Sequence, residues 1–385
     1  MGKKRKSGEG TLRLRKDGRW EGRYTVGRDP ETGKPIVKNV LGRSQTEVRE
    51  KLKAAMELAE KVDVTRSEDF TLTEWLQYWM DNYGQVYLRP SSQVNYAGFL
   101  KNQIANDKIG SMKLVKVTTH DLQFFFNRMR KSGRVQRKES EKKPAGLAAK
   151  TIRNMYFFMS HALDRAVTER LIPSNPAAGV VLPKKEHTEM KTIPMEDLNR
   201  FFEEAKRSGV FELYYTELST GLRRGELLGL KWEDIDFQAD TISVHCQITR
   251  MDGKVQESPL KTKNAYRQLM VSPDVTKMLQ EKMEREDGFS KYVFSSQTGG
   301  PISPDSVLHM LHRVLKRAGL EQVRFHDLRH TFATMALQNG VDVKTLSGLL
   351  GHYSAGFTLD TYGHITPAMK RDAAEKVGGF LANTI

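Results

Sequence analysis

The chain has 385 residues, 38% of them apolar and 28% charged, with a formal net charge of +15. This composition supports folded cores, excludes a globally disordered chain, and points to a polyanionic partner, nucleic acid ahead of an anionic membrane. No apolar run reaches the roughly 18 residues of a membrane span, no signal-peptide h-region or lipidation motif is seen, and the only cysteine, Cys246, leaves no internal disulfide or cysteine-based zinc site.

A cytoplasmic setting and two or three domains are expected, at roughly 100–200 residues per domain. Residues 1–10 are polar and basic. Strand-like segments follow near 11–16, 20–27 and 34–41, separated by the turn signals Asp17-Gly18 and Asp29-Pro30-Glu31-Thr32-Gly33. Ser44 and Glu47 fit a capping box, and Val48, Leu52 and Met56 give the helix behind it one apolar stripe. The sheet carries Arg13, Arg15, Lys16, Arg19, Arg23, Arg28, Lys34 and Lys38, with Trp20 and Tyr24 among them. A positive sheet face fits a DNA groove, although a solvated sheet is the plainer reading. The candidate DNA contacts are Arg13, Arg15, Arg19, Trp20, Arg23, Tyr24 and Lys38.

Residues 62–70 read as a linker. Thr71 and Glu74 form a second capping box ahead of Trp75, Leu76 and Trp79. Further helices are expected near 90–105, 119–131 and 147–171, the last with Ile152, Met155, Tyr156, Met159, Leu163 and Ala166 at core spacing. A basic loop spans 130–150, and Pro173, Pro176 and Pro183 lead into a second linker at 183–192. Beyond it the pattern is mixed. Helices are expected near 195–207, 211–219 and 224–230, then a strand at 241–249, a turn at Asp252-Gly253, and strands near 254–260 and 266–271. Helices at 304–318, 327–339, 343–350, 356–363 and 367–382 complete the chain, the last opened by Thr366 and Pro367.

Four segments carry candidate chemistry. In His326-Asp327-Leu328-Arg329-His330, helical spacing puts His326 and Arg329 on one face, pairing a phosphate-matched guanidinium with a group that titrates near neutrality. In Thr220-Gly221-Leu222-Arg223-Arg224-Gly225-Glu226, Arg223 follows a glycine turn and Glu226 is placed to hold it; a weak surface ion pair is the plainer reading. Gly351-His352 precedes Tyr362, and Lys261-Thr262-Lys263 lies on the expected hairpin.

Together TGLRRGE, HDLRH, LGH and LDTYGH, in this order with a lysine hairpin between the first two, resemble the tyrosine recombinase (phage-type integrase) catalytic domain over about 190–385. Residues 70–180 resemble the family's helical core-binding domain more loosely. KDGRW and DPETGK, within 10–60, resemble the arm-binding domain of integrases from conjugative transposons and temperate phages. The implied architecture is multidomain and mainly α with small β-sheets. It comprises an α+β arm-type DNA-binding domain at 1–62, a helical SAM-like core-binding domain at 70–182 and a mostly α catalytic domain with a small sheet at 193–385.

The resemblance implies a catalytic set of Arg223, Lys261, His326, Arg329, His352 and the nucleophile Tyr362, supported by Glu226 and His330. Arg223, Arg329 and His352 would bind the non-bridging oxygens, His326 would take the phenol proton, and Lys261 rather than Lys263 would protonate the leaving 5′ oxygen. No cofactor or metal is required, and no acidic metal cluster is visible. The implied partners are double-stranded DNA attachment sites of core and arm type, a homotetramer of the chain on DNA, and an excisionase or host DNA-bending protein. The implied location is the bacterial cytoplasm, at the nucleoid. The family's C-terminal helix, here 367–382, docks in cis or on a neighbouring protomer. The rival functions are a recombinase that resolves chromosome dimers, which usually has a shorter two-domain chain, a type IB topoisomerase, and a non-catalytic DNA-binding regulator.

Overall fold

The computed structural model describes residues 10–28, 32–63, 70–135, 144–185, 190–251, 253–260, 263–352, 354–362 and 374–375. The chain divides into two compact units, Met1–His187 and Thr188–Ile385. Among the described residues no helix is long and apolar enough to cross a membrane.

The first unit opens with the expected antiparallel sheet, β1 (Thr11–Leu14), β2 (Trp20–Arg28) and β3 (Pro35–Gly42), in the order β1-β2-β3. Helix α1 (Gln45–Lys61) buries Val48 and Leu52 against it. The Ser44 hydroxyl accepts from the Glu47 N–H, but Glu47 reaches past Ser44 to the Arg43 N–H, so the cap is not the reciprocal box expected.

The rest of this unit is helical. Helix α2 (Leu72–Trp79) starts at a full Thr71–Glu74 capping box and continues through a π turn, Met80–Gly84. Around it pack α3 (Pro90–Phe99), α4 (Thr119–Ser132) and α5 (Ala149–Thr168). Trp75 and Trp79 are fully buried at the centre, and the Trp75 indole N–H donates to the Ala162 carbonyl at 2.8 Å. The stripe expected on α5 is core, except Tyr156, which is half-buried.

The second unit contains α6 (Leu198–Arg207), α7 (Phe211–Thr220), α8 (Arg224–Gly229), β4 (Ile235–Asp236), β5 (Thr241–Val244), β6 (Cys246–Met251), β7 (Lys254–Pro259) and β8 (Arg267–Met270). They are followed by α9 (Pro273–Glu286), α10 (Pro304–Arg317), α11 (Phe325–Gln338), α12 (Val343–Leu350) and α13 (Ala355–Tyr362).

The single strand expected at 241–249 is two strands broken at His245. The chain changes partners there: β5 pairs with β4 and β8, whereas β6 pairs with β7 in a separate two-stranded sheet. Helix α9 was not expected, because its buried stripe is only Val275, Thr276 and Leu279 in a Lys- and Glu-rich segment; Ser272-Pro273 was the start signal available. Helix α11 begins two residues earlier than expected, at Phe325, which puts His326 in its first turn. The helix expected at 367–382 lies outside the described residues except for Ala374 and Glu375.

Trp75→Ala should destabilise the first unit by about 3–5 kcal/mol, because a buried indole leaves a large cavity. A denaturant titration with far-UV detection measures this; a change below about 1 kcal/mol contradicts the placement of Trp75 in the core.

Candidate active site

Helix α7 ends at Gly221, whose φ of +61° is left-handed and whose Cβ, if present, would lie 2.2 Å from the Phe332 ring. Only glycine fits this turn. The chain then re-enters helix at α8 with Arg223 in the extended N-cap position. The buried Glu226 carboxylate accepts from the Arg223 backbone N–H at 3.1 Å and from Arg223 Nη1 at 2.7 Å. It also accepts from Arg267 Nη2 at 3.0 Å. Burial alone pushes the Glu226 carboxyl up, but Arg267 and Arg223 outweigh it and hold it below the usual range. The pair read from sequence as at worst a weak surface contact is therefore anchored on a buried carboxylate shared by two arginines.

Arg329 on α11 is 1% exposed. It donates Nη1 to the Gly221 carbonyl at 2.8 Å and Nη2 to the Leu350 carbonyl at 2.5 Å. Burial, then Arg223, lowers its pKa to about 10, so it stays cationic at neutral pH. Arg223 Nη2 donates to the Gly351 carbonyl at 3.1 Å. The two arginines thus meet at the end of α12, which carries His352.

His352 is half-buried. Its Nδ1 lies 2.8 Å from the Thr358 hydroxyl, and its ring is parallel to that of Tyr362 at 6.4 Å. Tyr362 ends α13, packed with Ala333, Leu337, Leu346 and Leu350. Burial raises its phenol to about 12, so it remains protonated in the free protein. The phenol's partner is His330 Nδ1, at 2.6 Å, and not His326. His326 lies edge-on to His330 with ring centres 4.8 Å apart. It opens onto a cleft of about 1050 Å³ that Arg223, Arg224, Arg250, His312 and Arg324 also line.

Loss of hydration lowers all three imidazoles, including His326, which stays exposed to the cleft while packed beside His330 and the arginines. His330, Arg329 and Arg223 lower His326 further, and Arg329 and Arg223 bring His352 to about 3. The histidines are therefore neutral at neutral pH. Nearby, Glu217 is wholly buried with neither carboxylate oxygen hydrogen-bonded among the described residues, and burial raises its pKa strongly. The ionised counter-charge at the arginines is accordingly Glu226 alone of the two.

The structure brings Arg223, Glu226, His326, Arg329, His330, His352 and Tyr362 into one site. Lys261 lies outside the described residues, as does the side chain of Lys263. The missed residue is Arg267. Its partners Glu226 and Leu349 lie 41 and 82 residues away, so no local spacing reveals it.

The proposed DNA contacts of the N-terminal sheet do not share one face. Trp20 is opposite Leu14, and Tyr24 opposite Lys38, on the α1 side with Gly22, where a Cβ would meet Val48. Arg13 and Arg23 are on the other face, and both pair with the buried Glu21 carboxylate. Arg15 and Arg19 pair with Asp17 at the turn.

Residues 186–369 match the Phage integrase family, and residues 71–130 match Phage integrase, N-terminal SAM-like domain. The tyrosine recombinase XerC-like protein of Caldanaerobacter subterraneus subsp. tengcongensis is 30% identical over 380 residues, covering 91% of this chain and 93% of its own. The ICEBs1 integrase of Bacillus subtilis is 30% identical over 248 residues, covering 61% and 67%. In structure, the chain is similar to the Tn1549 transposon integrase in complex with a circular intermediate DNA, with TM-score 0.67, 21% identity, and coverage of 80% of this chain and 99% of that one. It is also similar to a lambda integrase dimer bound to a COC′ core site, with TM-score 0.57, 22% identity, and coverage of 94% and 97%.

The lowered imidazoles carry a pH signature. Each is neutral in the fold but protonates near ~6.5 when unfolded, so the unfolded state binds more protons as pH falls. Stability is full above the unfolded value and is lost as pH drops below it toward the folded values. Melting temperature should fall between pH 7.5 and 5.5, and His352→Gln should make that slope shallower. A His352→Gln slope equal to wild type would contradict the buried, neutral state of this imidazole.

Proposed function

The chain belongs to the phage integrase family of tyrosine recombinases, enzymes that cleave and rejoin DNA strands, and on that premise we propose that it integrates and excises a mobile DNA element through a 3′-phosphotyrosine at Tyr362. The observation that carries this reading is the convergence of Arg223 and Arg329 on the end of α12, with the Tyr362 phenol and His352 ring beside it.

In the proposed reaction the Tyr362 oxygen attacks the scissile phosphorus. The Tyr–O–P bond forms, the P–O5′ bond breaks, and a free 5′-hydroxyl leaves. Arg223, Arg329 and His352 hydrogen-bond the non-bridging oxygens as negative charge builds in the five-coordinate state. Each such preorganised donor is worth about 2.7–4 kcal/mol. The phenol, held near 12, needs a base. His330 suits this role better than His326, because its Nδ1 already lies within hydrogen-bond distance of the phenol oxygen, at 2.6 Å. His326, open to the cleft beside Arg223, is assigned to the phosphate. Lys261 gives its proton to the 5′ oxygen. Attack by a new 5′-hydroxyl reverses the steps, so the bond energy is kept without ATP.

The division into arm-binding, core-binding and catalytic domains belongs to the same proposal. So do core- and arm-type attachment sites, a tetramer on paired duplexes, an excisionase or host DNA-bending partner, and a bacterial nucleoid location. A role in resolving chromosome dimers is the second reading. The XerC-like relative favours it, since it aligns along 91% of this chain, and the N-terminal module therefore does not separate the two. An attachment-like repeat in the DNA flanking the gene supports the mobile element; a target only at the chromosome's replication terminus supports the other.

On a nicked suicide substrate, Tyr362→Phe should bind DNA normally and form no covalent adduct, which a denaturing gel detects. His330→Ala should slow adduct formation by about 10²–10⁴-fold, the usual worth of a general base, and His326→Ala by less. The reverse order returns the base role to His326, and ordinary adduct levels from Tyr362→Phe overturn the nucleophile.

The acid is tested separately. An alkoxide leaves poorly without a proton, whereas sulfur in the bridging 5′ position needs none. Lys261→Ala should cleave ordinary DNA about 10²–10⁴-fold slowly and the sulfur-bridged substrate at a near-normal rate. Lys263→Ala should be mildly slow on both. Rescue of Lys263→Ala alone would transfer the role to that residue.

A further inference from the structure

We infer that Arg267 is a positioning residue that sets the aim of Arg223 and the place of His352, an inference that rests on the functional reading above. Arg267 opens β8, six residues after Lys261, and its side chain is 8% exposed. All three of its nitrogens donate to protein acceptors: Nε to the Leu349 carbonyl at 2.8 Å, Nη1 to the Ala265 carbonyl at 3.0 Å, and Nη2 to Glu226 at 3.0 Å. A buried guanidinium engaged in this way is built into the protein rather than offered to a phosphate.

Its position in a series of three gives it a role. The carbonyls of Leu349, Leu350 and Gly351 are consecutive, and they accept from Arg267, Arg329 and Arg223 respectively. The last carbonyls of a helix lack intrahelical donors and carry the negative end of its dipole. Gly351 caps α12 at φ +60°, and the His352 N–H turns back to the Ser347 carbonyl at 3.0 Å. The end of α12, and with it His352, is thus fastened by three cations. Two of them are proposed to hold the phosphate; the third is Arg267.

The same side chain reaches in two other directions. Through Glu226 it shares a carboxylate with Arg223, so it fixes the counter-ion that orients that guanidinium. Through Ala265 it holds the short turn Lys263–Ala265. The turn and the helix end are in close contact: a Cβ on Gly351 would lie 3.0 Å from the Asn264 carbonyl oxygen and 3.3 Å from Arg267 Cδ. Arg267 therefore ties the start of α8, the Lys263–Ala265 turn and the end of α12 into one block. A lysine could keep the charge but not the three divergent hydrogen bonds.

The test is single-turnover adduct formation on a suicide substrate by wild type, Arg267→Lys, His352→Ala and the double variant, with DNA affinity and melting temperature measured on each. Loss of positioning without loss of a phosphate contact predicts about a 10- to 100-fold slower rate for Arg267→Lys, in line with the cost of small misplacements. Its DNA affinity should stay within about twofold of wild type. If Arg267 acts through His352, then on the His352→Ala background the same substitution should cost markedly less than it does alone, because the two residues are coupled. A rate within twofold of wild type overturns the inference. So does a fully multiplicative double variant, or an affinity loss that matches the rate loss. If Arg267→Lys is unfolded at the assay temperature, Arg267→Gln at a lower temperature is read by the same criteria, and a rate that tracks only the folded fraction also overturns it. Absence of an adduct from wild type overturns the functional reading itself, and is thus distinct from a failure confined to Arg267.

Discussion

The shared Glu226 carboxylate is the interaction on which the catalytic unit depends. Arg223, Arg267 and Arg329 crowd together; after burial, Arg223 is the leading charge that lowers Arg329. Against them stands one ionised, buried carboxylate, because burial drives Glu217 toward its neutral form. Helix-end carbonyls supply the remaining negative potential. The site is left with uncompensated positive charge and neutral imidazoles. A phosphodiester supplies the missing anion, and the five-coordinate state, more negative still, is favoured over it.

That imbalance also explains how the nucleophile is kept. A phenol in a cationic site would ordinarily ionise more easily, yet burial outweighs Arg329 and keeps Tyr362 protonated. Its hydroxyl is not left unpartnered, because it is hydrogen-bonded with His330 Nδ1. The free protein therefore holds a neutral acid–base pair, and charge separates only when the phosphate is there to be attacked. The His352 ring lies parallel to that of Tyr362 at 6.4 Å, with its Nδ1 held by the Thr358 hydroxyl. Removing Glu226 from this arrangement would leave two guanidiniums without their carboxylate, and the cost of such a buried loss is about 3–5 kcal/mol.

Much of this was legible in the sequence, where the signal is local. Gly221 before Arg223 and Glu226 three residues on encode a turn and a contact that recur in the structure, and His326 and Arg329 lie on one helix as their spacing implies. The Thr71–Glu74 cap and the α5 stripe are local in the same sense. What the sequence hid is long-range. Arg267 finds its partners 41 and 82 residues away, and the phenol's partner is chosen by how α13 crosses α11. The N-terminal sheet shows the same limit: composition groups its basic and aromatic residues, but the strand register puts Arg13 and Arg23 on one face and Trp20, Tyr24 and Lys38 on the other.

The central claim is a covalent bond between Tyr362 and a 3′-phosphate. Its most direct measurement is mass spectrometry of the protein–DNA adduct after protease and nuclease digestion. The account predicts one modified peptide, carrying a nucleotide through its 3′-phosphate on Tyr362, with a 5′-hydroxyl on the released strand. A nucleotide on any other residue, or a linkage through a 5′-phosphate, would contradict it.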